Sequence, residues 1–191
     1  MEFKLNVDGY DFISNESLFE HELNRMKFSY ILNRDKSYFS LVLLDNKEAR
    51  EYIISEVNKF IPNLYTYDLG ILGNSLFDCN KYIKTIPTVL FNFEDYILRV
   101  SNEKNISIER ARKLIFEGIN LVRDSVFLEY KAKSIMFFDD ENYYEFMVSA
   151  GDFFSYCVNK IDLNKCFRNE SGLTLSDYYE NKQYKSRVLK K

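Results

Sequence analysis

Through the middle of the chain, short apolar runs alternate with stretches of helical periodicity, the signature of βαβ units. The run from Tyr38 to Leu44 is too continuously apolar to alternate, so it predicts a strand buried on both faces. Asp45 or Asn46 then caps a helix from Lys47 to Phe60, whose stripe is Ala49, Tyr52, Ile53, Val57 and Phe60, and Pro62 ends it. Leu64 to Ile71 reads as a second strand with Gly70 and Gly73 as turn residues, and Ser75 to Lys84 as a short helix. Pro87 opens a third strand, Thr88 to Phe93. Ser107 caps the longest helix, about 108–131, with Ala111, Leu114, Ile115, Ile119, Val122 and Val126 on its apolar face.

Ser134 to Phe138 forms a fourth strand, closed by Asp139, Asp140 and Glu141. Tyr143 to Ala150 is helical, Val158 to Leu163 a short fifth strand, Ser14 to Asn33 an N-terminal helix, and Ser176 to Lys191 a C-terminal helix or tail. The expected fold is α/β: a three-layer sandwich around a mainly parallel sheet of about five strands with right-handed crossovers, similar in topology to P-loop NTPases but without a functional phosphate loop. The core spans 37–165, an N-terminal helical extension 1–36 and the C-terminal helix or tail 166–191.

Composition narrows the function. Of the 191 residues 46% are hydrophobic and 29% charged, which suits a globular domain. The net charge of −3 argues against broad nucleic-acid binding. No window approaches a membrane span. The start, MEFKLNVDGYDFISNE, is acidic and polar where a signal peptide is basic and then apolar, so a cytoplasmic protein is expected. Cys79, Cys157 and Cys166 lack metal-ligand spacing and read as reduced, mostly buried thiols. His21 is the single histidine, and no nucleophile–base pair is arguable.

In parallel sheets ligands bind at the carboxyl ends of strands. A phosphate there needs a glycine-rich turn whose N–H groups curl around the anion. The first strand–helix junction is instead Leu44-Asp45-Asn46-Lys47-Glu48-Ala49-Arg50, without glycine and with two acids. Asp45, Asn46 and Lys47, with Asp139 and Asp140 after the fourth strand, therefore mark a degenerate nucleotide site. No catalytic residue, metal ligand or cofactor is assigned. The expectation is a non-catalytic binding or regulatory protein.

Three stretches resemble a known family. Gly118-Ile119-Asn120-Leu121-Val122-Arg123-Asp124 carries N-x-x-R-D/E on a helix. An apolar strand follows at Ser134 to Phe138, and then Ala150-Gly151-Asp152-Phe153-Phe154-Ser155. Together they resemble the nucleotide-binding-like region of STAND proteins (signal-transduction ATPases with numerous domains), and most of all the inactive branch in bacterial conflict and anti-phage systems. The resemblance implies an accessory or sensor subunit whose protein partners are encoded by neighbouring genes. It makes Asn120, Arg123, Asp124 and Asp152 a structural or sensor motif.

Two other functions fit the residues. Asp139, Asp140, Glu94 and Asp95 at strand ends are the acids that a metal-dependent phosphoester hydrolase would gather around a divalent ion. A small antitoxin-like inhibitor would bind its target through tyrosines and the basic tail, where Tyr184, Lys185, Arg187, Leu189 and Lys190 are the candidate contacts.

Overall fold

The computed structural model describes residues 2–125 and 132–188, the last six by backbone alone. Five parallel strands form the central sheet: β3 (Tyr38–Leu43), β4 (Tyr65–Asp68), β5 (Thr88–Phe91), β6 (Lys133–Phe138) and β7 (Asn159–Asp162). They lie in the order β4-β5-β6-β3-β7. Every residue of β3 is buried, as its unbroken apolar run requires.

Helices cover both faces. On one face lie α3 (Leu76–Ile83), α4 (Phe93–Lys104), α5 (Ile108–Arg123), α6 (Asp140–Ser149) and α7 (Gly151–Ser155), packed on Phe39, Leu41, Leu90, Met136 and Phe138. Phe138 is the hub, with ring centroids 4.5 Å from Phe93, 5.0 Å from Phe146 and 5.8 Å from Phe116. The other face carries α1 (Glu16–Leu32), α2 (Lys47–Phe60) and α8 (Leu175–Val188), packed on Tyr38, Val42, Val89, Ile135, Phe137 and Ile161. The strand residues divide between the two cores with period two, so each strand serves both layers.

The N-terminal region is more than a helix. β1 (Lys4–Val7) and β2 (Tyr10–Ser14) make a hairpin around Asp8-Gly9, both at positive φ, and β2 pairs with β8 (Phe167–Arg168). Phe3, Phe12 and Phe167 carry this small sheet onto the second core. The four-residue alternation of β1, half exposed, is too short and polar to stand out as a strand in the sequence. Three other boundaries also differ. The third strand stops at Phe91, and Phe93–Lys104 is a helix opened by Asn92 in the left-handed region, φ 60°. The second strand is only Tyr65–Asp68. The long helix runs Ile108–Arg123 with Asp124 and Ser125 continuing it, and 126–131 of its expected span lie outside the described residues. Among the described residues no helix is long and apolar enough to cross a membrane.

The connections place the candidate site. β3 leaves through α2 on one face, whereas β6 leaves through α6 on the other. The connections that follow these neighbouring, still paired strand ends therefore diverge to opposite faces, which places a crevice at a topological switch point.

Candidate functional site

The crevice between β3 and β6 is filled by the chain's own side chains. Arg50, on the first turns of α2, points back beneath the junction and is 1% exposed. Its Nη1 donates to Glu94 Oε1 and to Asn92 Oδ1, each at 2.9 Å, and its Nη2 donates to the Leu44 carbonyl at 3.1 Å. Asn92 Nδ2 donates in turn to Asp68 Oδ1 at 2.9 Å, which also accepts the Gly70 N–H at 2.7 Å. Gly70 is packed so closely that an added Cβ would lie 3.1 Å from Asp68 Oδ1 and 3.2 Å from Asp95 Oδ2. Above this layer Lys47 Nζ stands 3.2 Å from Asp95 and 3.8 Å from Glu94.

Asp45 closes the other side. Its Oδ1 accepts the Asp140 backbone N–H at 2.9 Å and Asn164 Nδ2 at 3.1 Å, while its own N–H donates to Asn164 Oδ1 at 3.1 Å. The Tyr179 hydroxyl of α8 also donates to it. Burial raises the Asp45 carboxyl above the ordinary range, against the pull of these donors. The same burial, followed by the Asp45 charge, pushes the Tyr179 phenol well up.

Asp139 is the N-cap of α6. Its Oδ1 accepts the Asn142 N–H at 2.7 Å and its Oδ2 accepts Asn142 Nδ2 at 2.9 Å. Asn142 Oδ1 accepts Arg112 Nε at 2.9 Å, and Arg112 Nη1 reaches Glu141 at 2.9 Å. Burial, reinforced by the nearby Glu94 and Asp45 charges, lifts the Asp139 carboxyl to about 6. Asn46, not Asp45, caps α2, accepting the Ala49 N–H at 2.7 Å, and its amide also donates to the Lys4 carbonyl.

Asp45 and Asp140 are in direct contact across the crevice, Lys47 faces Glu94 and Asp95, and the Asn46 side chain turns away to the Lys4 carbonyl. The carboxylates of Asp45 and Asp139 act as acceptors for backbone and side-chain donors of the chain itself. Among the described residues no three His, Cys, Asp or Glu side chains are grouped to hold a metal ion.

Asn120, Arg123, Asp124 and Asp152 also come together, at the opposite end of α5. Asn120 Oδ1 accepts the Phe153 N–H at 3.0 Å, and its amide is 3.4 Å from Asp152. Arg123 lies 3.6 Å from Asp152, 3.5 Å from Asp124 and donates to the Asn120 carbonyl at 2.8 Å. The group ties α5 to the start of α7 and is remote from the crevice in sequence and strand end. Of the tail candidates, Tyr184, Lys185 and Arg187 fall on the backbone of α8, and Leu189 and Lys190 lie outside the described residues.

Arg50, Asn92, Arg112, Asn142, Asn164 and Tyr179 are the crevice residues that sequence reasoning misses. Arg50 carried a signal, since it lies three positions before Ile53 on the inner face of an amphipathic helix, where a charge demands a partner. Asn164 and Tyr179 reach Asp45 from far along the chain, and no local pattern announces them. Comparison with protein-family models, with curated proteins and with solved structures finds no match for the chain.

Proposed function

We propose that this chain is a non-catalytic regulatory or scaffold protein, built on a P-loop-like sheet, that binds a protein partner without using a nucleotide. The observation that carries the reading is the buried Arg50 guanidinium, bonded to Glu94, Asn92 and the Leu44 carbonyl beneath the turn where a triphosphate would sit. A phosphate-binding site holds cationic donors open for the anion. Here the cation is already neutralised, and the turn above it carries Asp45 and Glu48 in place of glycines.

The strand order supports the P-loop-like part of the proposal. The acid-bearing β6 is the direct neighbour of β3, so the turn after β3 and the acids after β6 open onto one crevice. The resemblance of the Asn120–Asp124 and Ala150–Ser155 stretches to inactive STAND regions extends the proposal to an accessory or sensor subunit of a bacterial defence system. The exposed apolar side chains Tyr144, Met147 and Val148 on α6, and Phe28, Ile31 and Leu32 on α1, supply surface of the kind a protein partner covers.

Co-expression with the products of adjacent genes, followed by size-exclusion chromatography, tests this function. A stable complex that is indifferent to added Mg-ATP supports it. A chain that stays alone with every neighbour, or that assembles only with nucleotide, rejects it.

A further inference from the structure

On the face of the sheet away from α2, helix α3 stands off from α5, and the space between them is an open cavity of about 320 Å³. Leu90 of β5 and Met136 of β6 line it from the sheet, and Tyr96 and Val100 of α4 from the helix layer. The volume lies at the low end of the roughly 300–1,000 Å³ typical of small-molecule sites. The polar atoms of the deeper wall are satisfied internally: Cys79 Sγ contacts the Leu76 carbonyl at 3.1 Å, and the Tyr96 hydroxyl bonds to the Leu76 backbone. Gly118 opens the α5 wall, since a Cβ built there meets nothing within 4 Å. At the rim Phe77 is 84% exposed.

The cavity is polarised. Lys104, in the last turn of α4, is the single charged side chain in its lining, and among the described residues it forms no ion pair. Tyr96, Val100 and Lys104 follow one another at four-residue spacing along α4. That stripe spans about 12 Å, the reach of an extended chain on the order of ten methylenes.

We propose that this cavity binds a single-chain, medium-length carboxylate, with its hydrocarbon on the Leu90–Met136 floor and its head group at Lys104. An apolar tail matches a lining that offers it almost no hydrogen bonds, and one ammonium matches one anionic head. The volume admits one chain, which excludes a two-chain lipid as the occupant. The site is separate from the crevice at the strand ends, so the proposal does not depend on the function argued above.

Displacement of a fluorescent undecanoate analogue by dodecanoate, 1-dodecanol and dodecyltrimethylammonium, each below its micellar concentration, tests the proposal. Three proteins are compared: the native chain, Gly118→Leu and Lys104→Gln. Gly118→Leu fills the cavity while replacing a poor helix former by a good one, so its fold is retained. Expected are saturable one-site binding of dodecanoate, its loss in Gly118→Leu, and a weakening of about tenfold or more in Lys104→Gln that 1-dodecanol does not share. The cationic amphiphile should bind worst. No dodecanoate binding, binding that survives Gly118→Leu, or equal affinity for acid and alcohol overturns the proposal.

Discussion

Arg50 Nη1 lies 2.9 Å from Glu94 Oε1, and this contact joins α2 to the start of α4 across the sheet edge with the guanidinium 1% exposed. Removing one member of such a buried pair strands the other, at a cost of about 3–5 kcal/mol. Arg50→Met should therefore lower unfolding stability by several kcal/mol in urea titrations. Arg50→Lys should be little better, because one ammonium cannot serve Glu94, Asn92 and the Leu44 carbonyl in the fork geometry. The double variant Arg50→Met with Glu94→Gln should recover part of the loss. Additive losses in the double variant would show that the two residues do not act as a pair.

Asp139 gives the crevice a pH dependence. Its carboxyl sits at about 6 in the folded chain against 3.8 ordinarily, so the folded state binds the proton more tightly than the unfolded state. Stability from this group is then full below about pH 4 and is lost as pH rises through 6, by up to roughly 3 kcal/mol. The difference in unfolding free energy between the native chain and Asp139→Asn should fall with pH across that window and stay flat above it. A difference that does not vary between pH 4 and 7 contradicts the burial of this carboxyl.

At the far end of α5, Asn120 Oδ1 accepts the Phe153 N–H at 3.0 Å and so starts α7. Asn120→Ala should cost about 1–2 kcal/mol in thermal or urea unfolding, and Asn120→Asp, which keeps the acceptor for Phe153 but sets a second carboxylate against Asp152, should recover only part of that loss, and more of it at low pH. Equal losses would assign Asn120 a role outside this contact.

Cys79, Cys157 and Cys166 are buried, and burial pushes each thiol up to about 12. In the native chain a thiol reagent should react with all three far more slowly than with a free cysteine, and all three should become reactive together in denaturant. Rapid modification of any one without denaturant would place that cysteine at the surface.

Much of this architecture is readable in the sequence because parallel strands buried on both faces need unbroken apolar runs. Tyr38–Leu43 and Lys133–Phe138 match the expected strands almost residue for residue, as does the helix Lys47–Phe60 with its Asn46 cap. Phe93–Lys104 escaped because its first residue continues an apolar strand, and the break is made by Asn92 adopting φ 60°, a conformation that the sequence does not announce. The acids around the crevice are legible because they follow strands, and parallel strands end on one edge. Their partners are not, because Asn164 and Tyr179 lie more than 100 residues from Asp45 in the chain. The N-terminal hairpin is invisible for a similar reason, since β2 is stabilised by pairing with β8 far along the chain.

An equilibrium titration of the native chain with ATP and Mg²⁺ bears most directly on whether the crevice is closed by its own residues. Arg50 is bonded to Glu94, and Asp45 to Asn164 and to the Asp140 N–H, and the junction carries Asp45 and Glu48 where a phosphate loop has glycines, so calorimetry should register no saturable binding into the millimolar range. Micromolar, Mg²⁺-dependent binding that disappears in Lys47→Ala would contradict it.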